Sequence, residues 1–540
     1  MSKHNPKYVF VVGGVMSSVG KGVASATIAK LIQSRGYKVA SIKCDMYVNV
    51  DAGTIRPAEH GEVFVGEDGV EADQDLGNYE RFTNETCTRV NYITTGSVYQ
   101  EIIRRERNLE YGGEDVEVIP DVPKEIIRRI EKCQQINQAD VVVTEFGGTV
   151  GEYQLLVFLE AARMMKVQNP DDVIFVMVSF LPTPSLLGEQ KSKPTQYAIR
   201  TLNSAGITPD FIMCRSDVPA SQDIKRTISN VCSLPIERII SAPNVDYIYQ
   251  VPVNFEKENL GEELLRSLKL EVRPGNLNDW IEFTDKIKNL KDEVTIGIVG
   301  KYFNLKSCRD TYISVIESLH HAAWNQDRKP KILWLDSEVY EQDPAKLKEL
   351  DQLDGIVVPG GFGGRGTEGM ILVAQYAREN KIPYLGLCLG MQILSVEFAR
   401  NVCGLAKANS EELDPETPYP VIHIMEEQKK HMAEHNYGAT MRLGAYPCVL
   451  KEGTKSFGAY GQKEISERHR HRFEFNNAYR EQMEAKGLVF AGINPDKDLV
   501  EIAEVTDHPF MVGSQFHQEF KSRPLTGHPL FNQFIKAAVA

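Results

Sequence analysis

An apolar run that ends in glycines and leads straight into a helix leaves few folds open to a chain. Lys7-Tyr-Val-Phe-Val-Val-Gly-Gly14 is such a run, and its continuity predicts a strand covered on both faces. A helix follows over about residues 21–35, with Val23, Thr27 and Leu31 on one stripe and Ala24, Ile28 and Ile32 beside it. Gly36 stands at its C′ position, and 38–43 reads as the next strand. Strand, crossover helix and second buried strand make a βαβ unit, which implies a parallel sheet and an α/β fold. Further buried strands are expected at 140–145, 173–178 and 211–214.

A chain of 540 residues exceeds one ordinary core. A second α/β unit opens at Val294-Thr-Ile-Gly-Ile-Val299 and continues at 331–335, 355–358 and 382–387. Between the two, residues 256–292 turn polar and charged around Pro274-Gly275. The reading is a first domain over 1–268, a linker over 269–292 and a second domain over 293–540.

Within the second unit, Ile382-Pro-Tyr-Leu-Gly-Leu-Cys-Leu-Gly-Met-Gln392 reads as a strand, a tight turn and a helix start, with the helix running to about residue 403. Gly386-Leu-Cys388-Leu-Gly390 has the G-x-nucleophile-x-G spacing of a nucleophile elbow, where the turn is too sharp for Cβ atoms on either side. The helix aims its positive end at the sulfur and favours the thiolate. Far downstream, Gln515-Phe-His517-Gln-Glu519 supplies a base in His517 and an orienter in Glu519. Buried packing would explain a lone cysteine, but not the elbow glycines together with a His-x-Glu. With Pro359-Gly-Gly-Phe-Gly363 and Phe516-His-Gln-Glu-Phe520, this region resembles the class I glutamine amidotransferases. It departs from them at Gln518, where the family usually has proline.

In the first unit, Gly13-Gly-Val-Met-Ser-Ser-Val-Gly-Lys-Gly22 joins strand to helix. Backbone N–H groups of such a turn cradle phosphate, and Lys21 adds a mobile charge. It is not a standard Walker A motif, because Gly22 replaces the Ser or Thr that would hold Mg2+. Carboxylates must then supply the metal ligands, and Asp73, Asp75 and Glu145 are the candidates.

Essentially the whole chain resembles the CTP synthase family. Besides the phosphate loop, the resemblance rests on Asn49-Val-Asp51, His60-Gly-Glu-Val-Phe-Val65, Asp75-Leu-Gly-Asn-Tyr-Glu-Arg-Phe82, Glu145-Phe-Gly-Gly-Thr-Val-Gly151, Lys191-Ser-Lys-Pro-Thr-Gln196 and Glu467-Arg-His-Arg-His-Arg472. It implies an N-terminal P-loop-type parallel-sheet amidoligase domain and a C-terminal class I glutamine amidotransferase α/β domain. The implied reaction is ATP-dependent amination of UTP to CTP. The pyrimidine carbonyl oxygen is phosphorylated and then displaced by ammonia that Cys388 releases from glutamine.

The resemblance also implies roles. ATP would meet Ser17, Ser18, Val19, Gly20, Lys21, Gly22 and Asp75, with Pro243, Asn244 and Val245 by the adenine. Lys21 and Lys43 would stabilise the transferring phosphoryl group, and Asp75 and Glu145 would bind Mg2+. UTP or CTP would meet Ser17, Glu152, Tyr153, Gln154, Lys191, Ser192, Lys193, Pro194, Thr195 and Gln196. Gly361 and Leu389 would face the oxyanion, while Gly390, Met391, Gln392, Glu412 and Arg472 would complete the glutamine site. Pro57, His60 and Val63 would line an ammonia passage, needed because ammonia loses its nucleophilicity on protonation in water. GTP as allosteric activator, CTP as feedback inhibitor, and a homotetramer that forms filaments belong to the same implication.

Besides Gln518, the chain departs from the family at Met46, Ala52 and Arg56, and at the start of the lid segment 435–444. Thr227 stands where the family has a UTP-phosphate lysine, with Lys225 and Arg226 beside it, and Lys225 is the expected substitute. Arg468-His-Arg-His-Arg472 is flanked by Glu464, Glu467 and Glu474. It therefore reads as a solvated, salt-bridged strand rather than a nucleic-acid patch, with Arg472 as a carboxylate clamp.

Composition narrows the setting. With 74 acidic against 61 basic residues the net charge is −13, which disfavours non-specific nucleic-acid binding. The nine cysteines form no C-x-x-C pair, the pattern of a reducing compartment without a zinc site or disulfide framework. No apolar run approaches the roughly 18 residues of a membrane span, and a strand within about seven residues of the start leaves no room for a signal peptide. The expectation is a cytoplasmic enzyme. Two alternatives stay open: a glutamine-dependent amidoligase on another acceptor, and a non-catalytic filament-forming paralogue.

Overall fold

The computed structural model describes residues 5–184, 188–301, 308–434 and 437–540. It divides into two compact units, Met1–Ala52 with Asp75–Thr284, and Gly53–Gln74 with Asp285–Ala540.

The first unit is built on a seven-stranded sheet, in the order Tyr92–Thr94, Val39–Asp45, Val141–Phe146, Lys7–Gly14, Val173–Phe180, Phe211–Ser216 and Ile239–Pro243. Every neighbouring pair is parallel, as the βαβ opening dictates. Helix Lys21–Gln33 follows the central strand. Functional groups collect at the C-terminal ends of the central strands, where the chain turns from strand to helix.

The second unit has a nine-stranded mixed sheet. Strands Lys329–Asp336, Glu293–Gly300, Gly355–Val358, Tyr384–Leu387 and Met511–Ser514 run parallel. Leu499–Val505, Leu488–Asn494, Arg442–Leu450 and Glu464–His471 continue it antiparallel. The register Val358↔Gly386 and Leu387↔Ser514 brings the ends of three strands level, which sets Pro359-Gly360, Cys388 and Gln515 side by side.

Three expectations are corrected. The presumed linker, 269–292, carries helix Asn278–Asn289. Trp280 packs 5.2 Å from Phe82 and 5.7 Å from Tyr249 between ring centroids, so the stretch as far as Thr284 belongs to the first unit, with Trp280 in its core. The segment Gly53–Gln74, assigned by sequence to the first domain, packs within the second unit. And strand Glu464–His471 is not solvated, because Arg468, His469, Arg470 and His471 are all buried. Their partners are Glu67, 2.8 Å from Arg468, and Glu71, 2.9 Å from Arg470, both in the hairpin of that same segment.

Candidate functional site

In the first unit the loop between strand Lys7–Gly14 and helix Lys21–Gln33 is strained. Val15, Ser18 and Gly20 all have positive φ, at 76°, 55° and 93°. Non-glycine residues in this region each cost about 1–3 kcal/mol, and such strain collects at ligand clamps. Val19 is buried, while Ser17 and Ser18 are exposed. Lys21 donates to the Gly148 carbonyl at 2.8 Å, and burial lowers its pKa against the pull of Glu145.

Why the residue after Lys21 is glycine is visible in the packing. A Cβ on Gly22 would lie 1.8 Å from Asp75 Oδ1. The carboxylate occupies the space in which a Walker Ser or Thr would stand. Lys43 bridges Asp75 and Glu145, the latter at 3.1 Å, and Tyr79 donates to the other oxygen of Glu145 at 2.5 Å. Burial, then the nearby Asp75, push Glu145 up to about 7. Two converging hard-oxygen donors beside a phosphate loop fit Mg2+. Asp73 belongs to the second unit, where it lies 3.3 Å from His60 Nδ1.

Around this loop the first unit brings together most of the nucleotide residues expected. Helix Lys193–Ser204 packs so closely that a Cβ on Gly14 would meet Ala198 at 2.9 Å. Its start presents Lys193, Pro194, Thr195 and Gln196. Thr195 bonds Ser179 at 2.8 Å and Gln196 donates to Ser192 at 3.0 Å, while Lys191 pairs with Glu189 at 3.0 Å. Glu152 accepts from the Thr149 N–H at 2.7 Å and from Gln154 at 3.1 Å, and Tyr153 is exposed. A mainly apolar cavity of about 80 Å³ is lined by Gly20, Pro243 and Val245, among others.

Arg215 also lines that cavity, and sequence reasoning missed it. It donates to the Ala242 and Pro243 carbonyls at 2.9 and 3.0 Å and to Asn244 at 2.9 Å, and so fixes the loop around the cavity. A lone arginine at a strand end carries no signal in sequence. Lys225, the expected substitute for a phosphate lysine, is instead held by Glu258 at 2.7 Å.

In the second unit Cys388 sits at φ 50°, ψ −97°, as the N-cap of helix Leu389–Asn401. The elbow glycines have direct reasons. A Cβ on Gly386 would lie 2.5 Å from Gly390 backbone, and one on Gly390 would lie 2.1 Å from the Val358 carbonyl. Gly360 has no room either, since its Cβ would meet His517 Cε1 at 2.8 Å. His517 Nδ1 and Glu519 Oε1 are 2.7 Å apart. Burial works against a charged His517, yet Glu519 and then Cys388 outweigh it and raise the imidazole to about 10. Ser318 donates to the Glu519 carbonyl at 3.2 Å and steadies that turn.

Leu389 opens the helix, so its N–H has no intrahelical acceptor and is available to an oxyanion. Gly361 lies in the neighbouring turn, whose Gly363 N–H donates to Glu412 at 2.9 Å. Lys301 holds the same turn through the Phe362 and Gly363 carbonyls, and burial lowers its pKa to about 8. Met391 and Gly390 are buried in the helix, and Gln392 donates to the Phe473 carbonyl at 3.1 Å. Arg472 donates to the Gln428 amide oxygen, to the Tyr437 carbonyl at 2.8 Å and to the Thr440 hydroxyl at 3.0 Å. Of the lid segment 435–444, His435 and Asn436 lie outside the described residues.

A cavity of about 100 Å³ opens on Cys388, His517 and Glu519 and is lined also by Pro57 and Val63. Those two come from the Gly53–Gln74 segment, anchored by Glu62 accepting from the Ser314 N–H at 3.1 Å. His60, in the same segment, is not in the lining. Gln518, which stands where the family usually has proline, accepts a hydrogen bond from Ser514 Oγ, which ties the strand end to the His517–Glu519 turn. Among the described residues no group of three or more His, Cys, Asp or Glu side chains forms a self-sufficient metal cage, and no helix is long and apolar enough to cross a membrane.

Comparison with known proteins finds a match for each half of the chain. Residues 7–270 match the family model for the CTP synthase N-terminus, and 307–537 match that for class I glutamine amidotransferases. A CTP synthase of Carboxydothermus hydrogenoformans is 49% identical over 534 residues, covering 99% of this chain and 98% of the relative. The CTP synthase of Bacillus subtilis is 46% identical, over 99% of this chain and 98% of its own. The glutaminase domain of a Trypanosoma brucei CTPS with bound acivicin is 37% identical, with a TM-score of 0.43, covering 46% of this chain and 94% of that one. Two domain matches in this order and near-half identity over almost the whole length show that the chain belongs to the CTP synthase family, glutamine-hydrolysing ligases that aminate UTP to CTP with ATP.

Proposed function

We propose that the family reaction is divided between the two units by the residues described above. In the first, Lys21 and Lys43 offset charge on the phosphoryl group moving from ATP to the pyrimidine carbonyl oxygen, where phosphoryl-transfer enzymes do most of their work. Asp75 and Glu145 would hold Mg2+, which neutralises triphosphate charge when bound. The apolar cavity beside Gly20 takes the adenine, with Arg215 fixing its loop. The start of helix Lys193–Ser204 takes UTP phosphates on its free N–H groups, and residues 152–154 contact CTP. Lys191 and Lys225, paired with Glu189 and Glu258 respectively, turn to those phosphates when the nucleotide binds.

In the second unit Cys388 attacks the glutamine amide, His517 moves the proton and Glu519 orients it. The Gly361 and Leu389 N–H groups meet the oxyanion. Gln392, Glu412 and Arg472 orient glutamine, and Arg472 must exchange carbonyl partners to do so. Ammonia leaves past Pro57 and Val63. Control by GTP and CTP, a homotetrameric assembly with filaments, and a cytoplasmic setting complete the reading. The observation that carries it is the strained Cys388 elbow beside the His517–Glu519 pair. The test is product analysis with UTP, ATP and glutamine, against other acceptors as controls. CTP with one ADP, one phosphate and one glutamate per turnover is expected. Amination of another acceptor in preference to UTP would overturn the assignment.

A further inference from the structure

Gln515 has no role in the scheme above, yet its side chain lies against the sulfur. It is fully buried, at 0% exposure, and its Nε2 donates to Cys388 Sγ at 3.6 Å. The other end of the amide accepts from Gln392 Nε2 at 3.3 Å, and the backbone N–H of Gln515 donates to the Glu501 carbonyl at 2.8 Å. The Gln392 amide is held in turn by the Phe473 carbonyl at 3.1 Å. Both ends of the Gln515 amide and its backbone are therefore fixed, and this sets which way the amide points. Oxygen faces a donor, so the N–H must face the sulfur.

A donor held rigidly on a sulfur favours the charged nucleophile over the neutral thiol, because hydrogen bonds to ionised acceptors are about twice as strong as neutral ones. It also aims the lone pairs. The sulfur itself reaches the Arg470 carbonyl at 4.0 Å, and the fixed Gln515 donor on its other contact limits the orientations it can take. We propose that Gln515 is a positioning residue for Cys388, which holds the thiolate ready and ties it through Gln392 to the glutamine pocket. The inference rests on Cys388 being the glutamine nucleophile.

The test uses the full-length enzyme with Gln515→Met, which keeps length and apolar packing but has no donor, and Gln515→Glu, which keeps shape but turns the donor into an acceptor. In both, kcat for glutamine hydrolysis should fall about 10- to 100-fold. The pH profile of Cys388 alkylation by iodoacetamide should move to higher pH, further in Gln515→Glu. Synthesis of CTP from added ammonium should persist. An alkylation profile superimposable on the unsubstituted enzyme, in either variant that still makes CTP from ammonium, overturns the proposal. If one variant loses ammonium-dependent synthesis and so is misfolded, the other decides. Failure of the underlying reading would look different, since Cys388→Ala would then retain glutamine hydrolysis.

Discussion

The phosphate loop of the first unit and the cysteine elbow of the second solve one backbone problem with opposite chemistry. Each is a turn at the end of a parallel strand, running into a helix, with positive φ where side chains are disfavoured. In the glycine-rich loop the strain is spread over Val15, Ser18 and Gly20. In the elbow it falls on Cys388 itself. A loop that must wrap a ligand distributes its distortion, whereas a turn that must present one atom concentrates it there. The surroundings follow suit. Buried carboxylates and lysines crowd the first loop, while the second gathers one sulfur, one imidazole and one carboxylate.

The largest effects should separate the two sites outright. Cys388→Ala is expected to abolish glutamine-dependent synthesis, by at least about 10³-fold, and spare synthesis from ammonium. Lys21→Ala should cut synthesis from both nitrogen sources by more than about tenfold, or 1.4 kcal/mol, while basal glutamine hydrolysis continues. Loss of both activities in Cys388→Ala, or ammonium-dependent synthesis surviving in Lys21→Ala, would break the division of labour.

Next in size is Gly22→Ser, which restores a Walker-type hydroxyl where the carboxylate of Asp75 now lies. The new side chain must push Asp75 from Lys43. Synthesis from either nitrogen source should fall about tenfold or more, and overpacking should cost about 1–3 kcal/mol in urea unfolding. Activity equal to the unsubstituted enzyme would show that the hydroxyl and the carboxylate are interchangeable here. A smaller effect is expected from Val63→Phe in the cavity shared with Cys388. Glutamine hydrolysis should continue while the glutamine consumed per CTP rises above one. The ratio is diagnostic, and a value of one would remove Val63 from the passage.

Much of this was legible in sequence, and the failures have a common cause. The parallel strands, the elbow and the His517–Glu519 pair are local patterns, set by runs, glycines and spacing. The burial of Arg468 and Arg470 was not legible. Their charges read as solvent-facing because the carboxylates that cover them, Glu67 and Glu71, stand about four hundred residues earlier. The same pairing draws Gly53–Gln74 into the second unit, against the order of the sequence. Arg215 and Gln515 were missed for the converse reason, since each acts through neighbours that only the sheet register brings near. Gly22 shows both. Its departure from the phosphate-loop pattern was visible in sequence, and its packing reason, the space taken by Asp75, was not.

The imidazole of the elbow makes a pH-dependent prediction. His517 is raised to about 10 in the folded state, against about 6.5 for an unfolded chain. A raised pKa means the folded state binds the proton more tightly. The stabilisation is complete below about pH 6.5 and is lost as pH rises through about 10. Glu519→Gln removes the carboxylate partner that holds the charge. The gap in Tm between the unsubstituted enzyme and this variant should therefore be widest at about pH 6.5 and just below, begin to narrow by neutrality and close towards pH 10. A gap that stays constant across that range would mean that Glu519 acts by packing rather than by charge.

The smallest expected effect concerns how the catalytic turn is fixed. Gln518 is the first residue of the 3-10 turn Gln518–Lys521, with His517 as its N-cap. At a first helical position an N–H has no intrahelical acceptor, so proline loses nothing there and its φ suits the turn. The chain instead uses a buried side-chain bond, from Ser514 Oγ to the Gln518 amide oxygen. Two devices, a ring or a hydrogen bond, can thus hold His517 and Glu519 at the same spacing. Gln518→Ala removes the bond without supplying the ring, and should cost about 1 kcal/mol of stability with a several-fold loss in kcat for glutamine hydrolysis. Gln518→Pro should recover most of that kcat, and Ser514→Ala should mimic Gln518→Ala. Ammonium-dependent synthesis should not change in any of the three. If Gln518→Pro is slower than Gln518→Ala, the side-chain bond does more than fix the turn, and the elbow depends on Ser514 as well as on the strain at Cys388.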